Sequence, residues 1–219
     1  MRSALLFDLD GTIVDSDPDH LRAFKKVFAA HGVALDRDAY VNGVMGASND
    51  VIGEKYLGHL SLQERSDTLD LKEKVYRDEL GELTATDGLA ELLDYADTKR
   101  LKRALVTNAP RANVLKVLDA LGLSERFAHR IIGVELEWAK PHPLPYLTAL
   151  DRLGADANRS VAFEDSFSGL RSALAAGLAT VAVTTSLKAS ALLAAGASLA
   201  VKDFTDPRIR PFIEARVRA

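Results

Sequence analysis

The chain of 219 residues contains no cysteine. Without thiols it forms no disulfide and no thiolate metal site, and it has no cysteine nucleophile. It also lacks a strong excess of either charge, because the formal net charge is -3 and the pI is about 6.0. A mildly acidic chain gives no reason to expect nucleic acid as a partner.

Long hydrophobic runs are absent as well. No apolar stretch approaches the roughly 20 residues of a membrane helix, and the first few residues are too short a segment for a signal peptide. We therefore expect a cytoplasmic protein with no membrane partner. The composition is ordinary for a globular protein, with 47% hydrophobic and 27% charged residues, and the length suits one domain or a core domain with an insertion.

Short apolar runs alternate with helical patterns along most of the chain. The runs typical of buried strands occupy residues 4–7, 104–106, 130–134, 160–163, 180–183 and 199–201. Helical patterns cover residues 111–121, 143–153 and 167–176, and a glycine stands at or directly after the end of each. The alternation predicts an α/β fold with a doubly wound parallel sheet.

The segment after the first strand breaks this alternation and is helical throughout. Leu21, Phe24, Val27 and Phe28 share one helix face, and further helices are predicted over residues 36–44, 49–57 and 62–80. We expect an inserted all-helical cap domain at residues 16–83, and a catalytic core formed by residues 1–15 and 84–219.

Polar residues follow several of the predicted strands at the point where each ends. Ligands of open α/β sheets bind outside the carboxyl ends of the strands, so we expect these polar side chains to meet at one edge. They are Asp8, Asp10, Thr107, Asn108, Glu164 and Asp165.

Each polar pair also has a simple local interpretation. Two carboxylates as close as Asp8 and Asp10 repel each other unless a cation or a proton lies between them, but Asp is also common in turns. Thr107 and Asn108 can bind an anion, or Asn108 can cap the following helix.

The pair Glu164 and Asp165 leaves a similar choice. Adjacent carboxylates at a strand end supply the oxygen ligands that magnesium prefers. The alternative is that Asp165 or Ser166 caps the helix that begins at Phe167.

Taken together, four short motifs resemble those of the haloacid dehalogenase superfamily. They are the segment from Phe7 to Thr12 (FDLDGT), the segment from Val106 to Asn108 (VTN), Lys140 with Pro141, and Phe163-Glu164-Asp165-Ser166 followed by Gly169. Their order and spacing match across essentially the whole chain. Asp10 favours the phosphatase and phosphomutase branch, since true dehalogenases and phosphonatases lack an acidic residue there.

The resemblance implies a Mg²⁺-dependent phosphatase that passes through an aspartyl phosphate. Asp8 is then the nucleophile and Asp10 the general acid and base, with Thr107 and Lys140 holding the phosphoryl oxygens. Asp8, Asp165 and the backbone carbonyl of Asp10 are the implied metal ligands, with Glu164 binding the metal directly or through water. The implied partner is a small-molecule phosphate ester of a sugar or organic acid, and the expected state is a monomer or weak homodimer.

The cap residues implied to contact substrate are His20, Ser48 and Asn49, with Asn108 from the core. The loop at 43–49 resembles the specificity loop of the subfamily that contains phosphoglycolate phosphatase and β-phosphoglucomutase, although Ser48 or Asn49 could instead cap a helix. His20 matches a histidine of the mutases, while Met45 and Asn49 stand where the mutases carry basic residues. A phosphatase is the preferred interpretation, a sugar phosphomutase the alternative and a non-catalytic binding module the third.

Overall fold

The computed structural model describes residues 2–217. Within them the chain forms a six-stranded sheet in which every pair of neighbouring strands is parallel. The strands are β1 (Ala4–Phe7), β2 (Lys102–Thr107), β3 (Arg130–Ile132), β4 (Val161–Glu164), β5 (Ala179–Val183) and β6 (Leu199–Val201). Their spatial order, β3-β2-β1-β4-β5-β6, is that of a doubly wound sheet and confirms the predicted fold class.

The strand ends differ slightly from the predicted bounds. β2 begins earlier than expected because Lys102 and Arg103 pair with Ala4 and Leu5 of β1. β3 ends earlier because the chain enters a short 3-10 turn at Gly133–Glu135.

Helices cover both faces of the sheet. They are α5 (Leu89–Thr98), α6 (Arg111–Ala120), α7 (Leu144–Leu153), α8 (Phe167–Ala175), α9 (Ala189–Ala194) and α10 (Ile209–Val217). Alternate residues of β1 point to opposite faces, so Leu5 and Phe7 join one buried cluster while Ala4 and Leu6 join the other. The sequence patterns do not predict α5, α9 or α10.

Four helices follow β1 and confirm the predicted helical insertion. They are α1 (Asp17–Phe28), α2 (Arg37–Gly43), α3 (Asn49–Tyr56) and α4 (Leu62–Asp78). Apolar side chains from these helices form a hydrophobic cluster of their own, which includes Phe24, Phe28, Tyr40, Ile52 and Leu69. We call α1–α4 the cap.

The chain leaves and re-enters the sheet layer at neighbouring points. Val14 forms an antiparallel bridge with Ala85, and the backbone N–H of Thr86 donates to the carbonyl of Ile13 at 2.9 Å. The hydroxyl of Thr86 also donates to the carbonyl of Thr12 at 2.7 Å. Among residues 2–217, no helix combines the length and apolar character needed to cross a membrane.

Candidate active site

Lys140 and Asp8 form the centre of the polar cluster at the carboxyl edge of the sheet. The Lys140 ammonium donates to Asp8 Oδ1, to Glu164 Oε1 and to the Val106 carbonyl, each at 2.6 Å. All of these side chains are buried. An ammonium has three protons, so these three acceptors fix its position.

Asn108 anchors the loop that carries Lys140. Its side-chain carbonyl accepts from the Lys140 backbone N–H, and its amide donates to the Lys140 carbonyl, both at 3.0 Å. The amide also lies 3.3 Å from the carbonyl of Gly46 in the cap. The interpretation of Asn108 as a helix cap is therefore wrong: Pro110 precedes α6, and no side chain caps that helix.

Ser166 settles the other capping alternative. Its hydroxyl accepts from the Gly169 N–H at 3.1 Å and caps α8, which leaves Asp165 available for another role. Asp165 lies against Gly11, where an added Cβ would come within 2.1 Å of Asp165 Oδ2. Gly11 also has a φ of 76°, a conformation that side chains disfavour, so two independent constraints require glycine there.

Three buried carboxylates converge beside Lys140. Asp8, Glu164 and Asp165 each place one oxygen within 4.8 Å of the others. Glu164 Oε1 accepts two hydrogen bonds, one from Lys140 and one from the Tyr146 hydroxyl, both at 2.6 Å. The Thr12 hydroxyl donates to Asp165 Oδ1 at 3.4 Å.

Three carboxyl groups face a single ammonium in this cluster, so ionisation of all three would leave an excess of negative charge. Burial raises the pKa of Asp8 to about 8, with Lys140 opposing and Glu164 adding to the rise. Burial and the charge of Asp8 likewise raise the pKa of Asp165 well above its usual value. Burial tends to lower the pKa of Lys140, but Asp8 and Glu164 outweigh that effect and raise it. Carboxylate oxygens that lack a full complement of cations suit a hard divalent cation such as Mg²⁺.

Asp10 faces the cap rather than this cluster. Its Oδ1 accepts from the Ser16 hydroxyl at 2.6 Å and lies 3.4 Å from His20 Nε2. Burial tends to raise the pKa of Asp10, but the hydrogen bonds from His20 and Ser16 and the charge of Lys72 lower it overall. The free protein therefore holds Asp10 as a carboxylate.

Lys72 and Glu73 of α4 complete the site, and the sequence patterns did not point to either. Lys72 Nζ lies 3.1 Å from each Glu73 oxygen and 2.9 Å from His20 Nδ1. Since an ammonium only donates, His20 Nδ1 accepts and its ring proton lies on Nε2, facing Asp10. The ring of His20 stacks on Tyr76 with 3.9 Å between centroids.

The other predicted site residues occupy different positions around the same cleft. Thr107 lies in its wall, where its hydroxyl accepts from the Ala109 N–H at 3.0 Å. Asn49 also lines the cleft and donates to Glu73 Oε1 at 3.0 Å. Ser48 precedes α3 without capping it through its side chain, and the residues lining the cleft include its neighbours Ala47 and Asn49 instead.

The cleft lies between the sheet edge and the cap. It encloses about 630 Å³, including its open mouth. Its sheet end is lined by Asp8, Asp10, Thr107, Asn108, Lys140 and Asp165, and its cap end by His20, Phe24, Tyr40, Val44, Met45, Asn49, Ile52, Lys72 and Glu73.

Known proteins share both the sequence and the fold. The family model of haloacid dehalogenase-like hydrolases matches residues 5–183. A phosphorylated carbohydrates phosphatase from Thermotoga maritima is 31% identical over 206 residues, covering 91% of this chain and 94% of the relative. A phosphoglycolate phosphatase from Xanthomonas campestris is 32% identical over 180 residues, covering 82% of this chain and 81% of the relative.

A solved structure agrees over the full length. The crystal structure of a HAD hydrolase, family IA, variant 3, from Entamoeba histolytica has a TM-score of 0.88 and 25% identity, and each chain is covered completely. The family match and the phosphatase relatives confirm the prediction of an enzyme of the phosphatase class. Members of the family generally use Mg²⁺, and the buried acidic cluster provides oxygen ligands of the kind that ion requires. The chain belongs to the haloacid dehalogenase-like hydrolase family.

Proposed function

We propose that this protein is a Mg²⁺-dependent phosphomonoester hydrolase that acts on a small sugar or organic-acid phosphate through an aspartyl phosphate. One observation carries the proposal: Asp8 lies at a cleft, held by Lys140, among carboxylates whose negative charge is not balanced. Thr107 faces the same cleft from the next strand.

The residues present fit a magnesium ion. Asp8 and Asp165 would hold it with their side chains, and Asp10 with its backbone carbonyl. Glu164 would act through water or by orienting Lys140, because Lys140 and Tyr146 already occupy its Oε1. When bound, the ion neutralises charge between the carboxylates and the phosphoryl group.

The first chemical step is attack by an Asp8 carboxylate oxygen on phosphorus. The bond from phosphorus to the ester oxygen breaks, and Asp10 donates a proton to the departing alkoxide. Asp10 is ionised in the free protein, and the approach of the negatively charged phosphate raises its pKa towards the protonated form that this step needs. Thr107 can donate its hydroxyl proton to a phosphoryl oxygen, and Lys140, whose three protons face Asp8, Glu164 and the Val106 carbonyl, offsets the negative charge of the phosphoryl group.

The second step returns Asp8 to its starting state. Asp10, now a carboxylate, removes a proton from a water molecule that attacks the phosphorus of the aspartyl phosphate. The acyl phosphate bond breaks, and inorganic phosphate leaves. The lowered pKa of Asp10 in the free protein favours its ionised form, which is the form that can accept this proton.

The cap would enclose the leaving group and exclude water during the first step. We propose residues 16–83 as the cap domain and residues 1–15 and 84–219 as the core. The paired crossings at Val14 and Ala85 support these bounds. Substrate contacts are proposed for His20, Asn49 and Asn108, which line the cleft. The predicted contact of Ser48 is not carried into the proposal, because the cleft is lined by its neighbours Ala47 and Asn49. A cytoplasmic location, a monomeric or weakly dimeric state, and the absence of nucleic-acid and membrane partners remain predictions.

Phosphate release from a panel of phosphate esters tests the proposal. The protein should release inorganic phosphate in Mg²⁺ and lose that activity in EDTA, with recovery when Mg²⁺ is restored. Absence of phosphate release from every ester, together with a failure of beryllium fluoride and Mg²⁺ to bind, would favour the non-catalytic binding module instead.

A sugar phosphomutase is the second candidate, because His20 contacts Asp10 as well as Lys72. A mutase returns an isomerised sugar phosphate without net phosphate release and requires a sugar bisphosphate activator. Assays of the same hexose phosphates with and without the bisphosphate separate the two activities.

A further inference from the structure

At the cap end of the cleft, the ammonium of Lys72 is neutralised by a neighbouring carboxylate. Among the residues that the structure describes, Lys72 and Lys140 are the only lysines or arginines that line the cleft. Lys140 forms ion pairs with Asp8 and Glu164 at the sheet end. Any anionic group on the leaving group would therefore depend on Lys72.

Lys72 is already paired. Its Nζ lies 3.1 Å from both oxygens of Glu73, and both side chains are almost completely buried. The third N–H of the Lys72 ammonium faces His20 Nδ1 at 2.9 Å. The centroid of the Phe24 ring lies 4.1 Å from Nζ. All three ammonium protons of Lys72 already have acceptors, so none is available to a carboxylate or phosphate of the substrate.

Glu73 is held in place by one residue of the cap and one of the core. Asn49 of the cap donates to its Oε1 at 3.0 Å, and Asn113 of α6 donates to its Oε2 at 2.7 Å. Arg77 in turn donates to the Asn113 side-chain carbonyl at 2.8 Å. Burial tends to raise the pKa of Glu73, but Lys72, His20 and the amides of Asn113 and Asn49 lower it overall, so Glu73 is a fixed negative charge.

The remaining surface of this end suits hydroxyl groups on a carbon chain. The side-chain carbonyl of Asn49 can accept a hydrogen bond, and the carboxylate of Glu73 can accept a further one. Phe24, Val44, Met45 and Ile52 provide apolar contact beside them. A second anion placed here would lose its hydration and face Glu73, which is costly in a buried site.

We propose that the cap end selects phosphate esters whose leaving group is an uncharged polyol or sugar, and that Glu73 excludes substrates bearing a carboxylate or a second phosphate. The assignment rests on the proposed phosphatase function and narrows it. Glu73 determines which leaving groups bind, because its negative charge repels anions and its ion pair with Lys72 neutralises the nearby ammonium.

Matched esters that differ in one charged group test this selection. Glucose 6-phosphate is compared with 6-phosphogluconate and with glucose 1,6-bisphosphate, and 2-hydroxyethyl phosphate is compared with phosphoglycolate. The wild-type enzyme should show kcat/KM at least about tenfold higher for the uncharged member of each pair, an effect of the size expected for one unfavourable buried charge contact. Equal or better turnover of the anionic members would overturn the proposal.

Two variants test the role of Glu73 itself. Glu73→Gln keeps the shape and leaves Lys72 without its counter-charge, so the preference for uncharged esters should fall about tenfold, mainly through KM for the anionic members. Asn49→Lys adds a cation at a partly exposed position and should shift the preference in the same direction. Glu54→Gln, on an exposed position of α3, is the matched control and should leave the ratio unchanged.

Thermal unfolding of each variant shows whether it is folded, and Asn49→Lys serves as the test if Glu73→Gln is not. A folded Glu73→Gln with the wild-type ratio would overturn the assignment to Glu73. If the proposed phosphatase function itself is wrong, the result is distinct, because neither the charged nor the uncharged esters release phosphate.

Discussion

The two ends of the cleft handle buried charge in different ways. At the sheet end, Asp8, Glu164 and Asp165 face one ammonium, that of Lys140. At the cap end, Lys72 and Glu73 neutralise each other at 3.1 Å, and two asparagine amides complete the hydrogen bonding of the carboxylate.

This difference in charge balance suggests different roles for the two ends of the cleft. An unbalanced buried carboxylate cluster is unfavourable by itself, so it favours the binding of a cation and of a reacting group that shares the cation. A balanced pair needs nothing from outside and presents a nearly neutral polar surface. We therefore propose that phosphoryl transfer takes place at the sheet end and that the cap end discriminates between leaving groups.

The largest expected effect comes from the sheet end, at Asp8. Asp8→Asn removes the nucleophile and should lower kcat by roughly four orders of magnitude or more, as is typical when a covalent nucleophile is lost. Phosphate release is the measurement, and Asp119→Asn on the exposed face of α6 is the matched control. Turnover by Asp8→Asn close to that of the control would be incompatible with the mechanism.

The second-largest loss of activity is expected at Asp10, which we propose protonates the leaving group. Asp10→Asn should lower kcat by about 10²–10⁴-fold for an alkyl phosphate, in line with the loss of a general acid. For 4-nitrophenyl phosphate the loss in the phosphorylation step should be smaller, since nitrophenolate leaves without a proton. Single-turnover rates for the two esters give the comparison, and equal losses would argue against leaving-group protonation by Asp10.

Mg²⁺ should stabilise the folded protein, and more strongly at pH 8 than at pH 6. Burial raises the pKa of Asp8 from 3.8 to about 8, so between these values the metal-free folded state keeps a proton that the unfolded chain releases. This contribution to stability is therefore lost as the pH rises through that window. At 100 times its Kd, Mg²⁺ adds about 2.7 kcal/mol, or about 5–10 °C in Tm for a chain of this size.

Thermal unfolding of wild type and Asp8→Asn, with Mg²⁺ and with EDTA, makes this measurement. Asp8→Asn should flatten the pH dependence seen in EDTA, because it removes the group that holds the proton. A Mg²⁺ shift that is larger at pH 6 than at pH 8 would contradict the assignment of these carboxylates to the metal.

The smallest expected effect comes from the contact between cap and core at Asn113. Asn113→Ala leaves Glu73 and Arg77 each without one hydrogen-bond partner and should lower the free energy of unfolding by about 1–3 kcal/mol. KM should rise more than kcat falls, because Glu73 is then less well positioned. Chemical denaturation and steady-state kinetics provide both readouts. Asn42→Ala, an exposed residue with a local hydrogen bond, should change neither by a comparable amount.

Much of the fold could be predicted because its signals are local. Each apolar run buried on both faces of the sheet became a strand, and the helical periodicity around Phe24 and Phe28 correctly predicted α1. Short helices were harder, since α9 lies in an alanine-rich stretch where apolar spacing carries little information. For Asn108 the sequence leaves two alternatives open, anion binding and capping of the following helix, and the capping alternative is wrong. Its hydrogen-bond partner Lys140 is 32 residues away, so no local pattern points to that contact.

By itself the sequence determined the parallel sheet, the helical insertion and the polar residues at the strand ends, because alternation, periodicity and strand-end position depend on neighbours along the chain. Only the tertiary structure decided that Lys72 and Glu73 are buried at the cleft. In α4 they are two of many charged residues, and their burial depends on His20, 52 residues from Lys72, and on Asn113, 40 residues from Glu73. Whether a charge is solvated or paired is set by what packs against it, and local sequence does not contain that information.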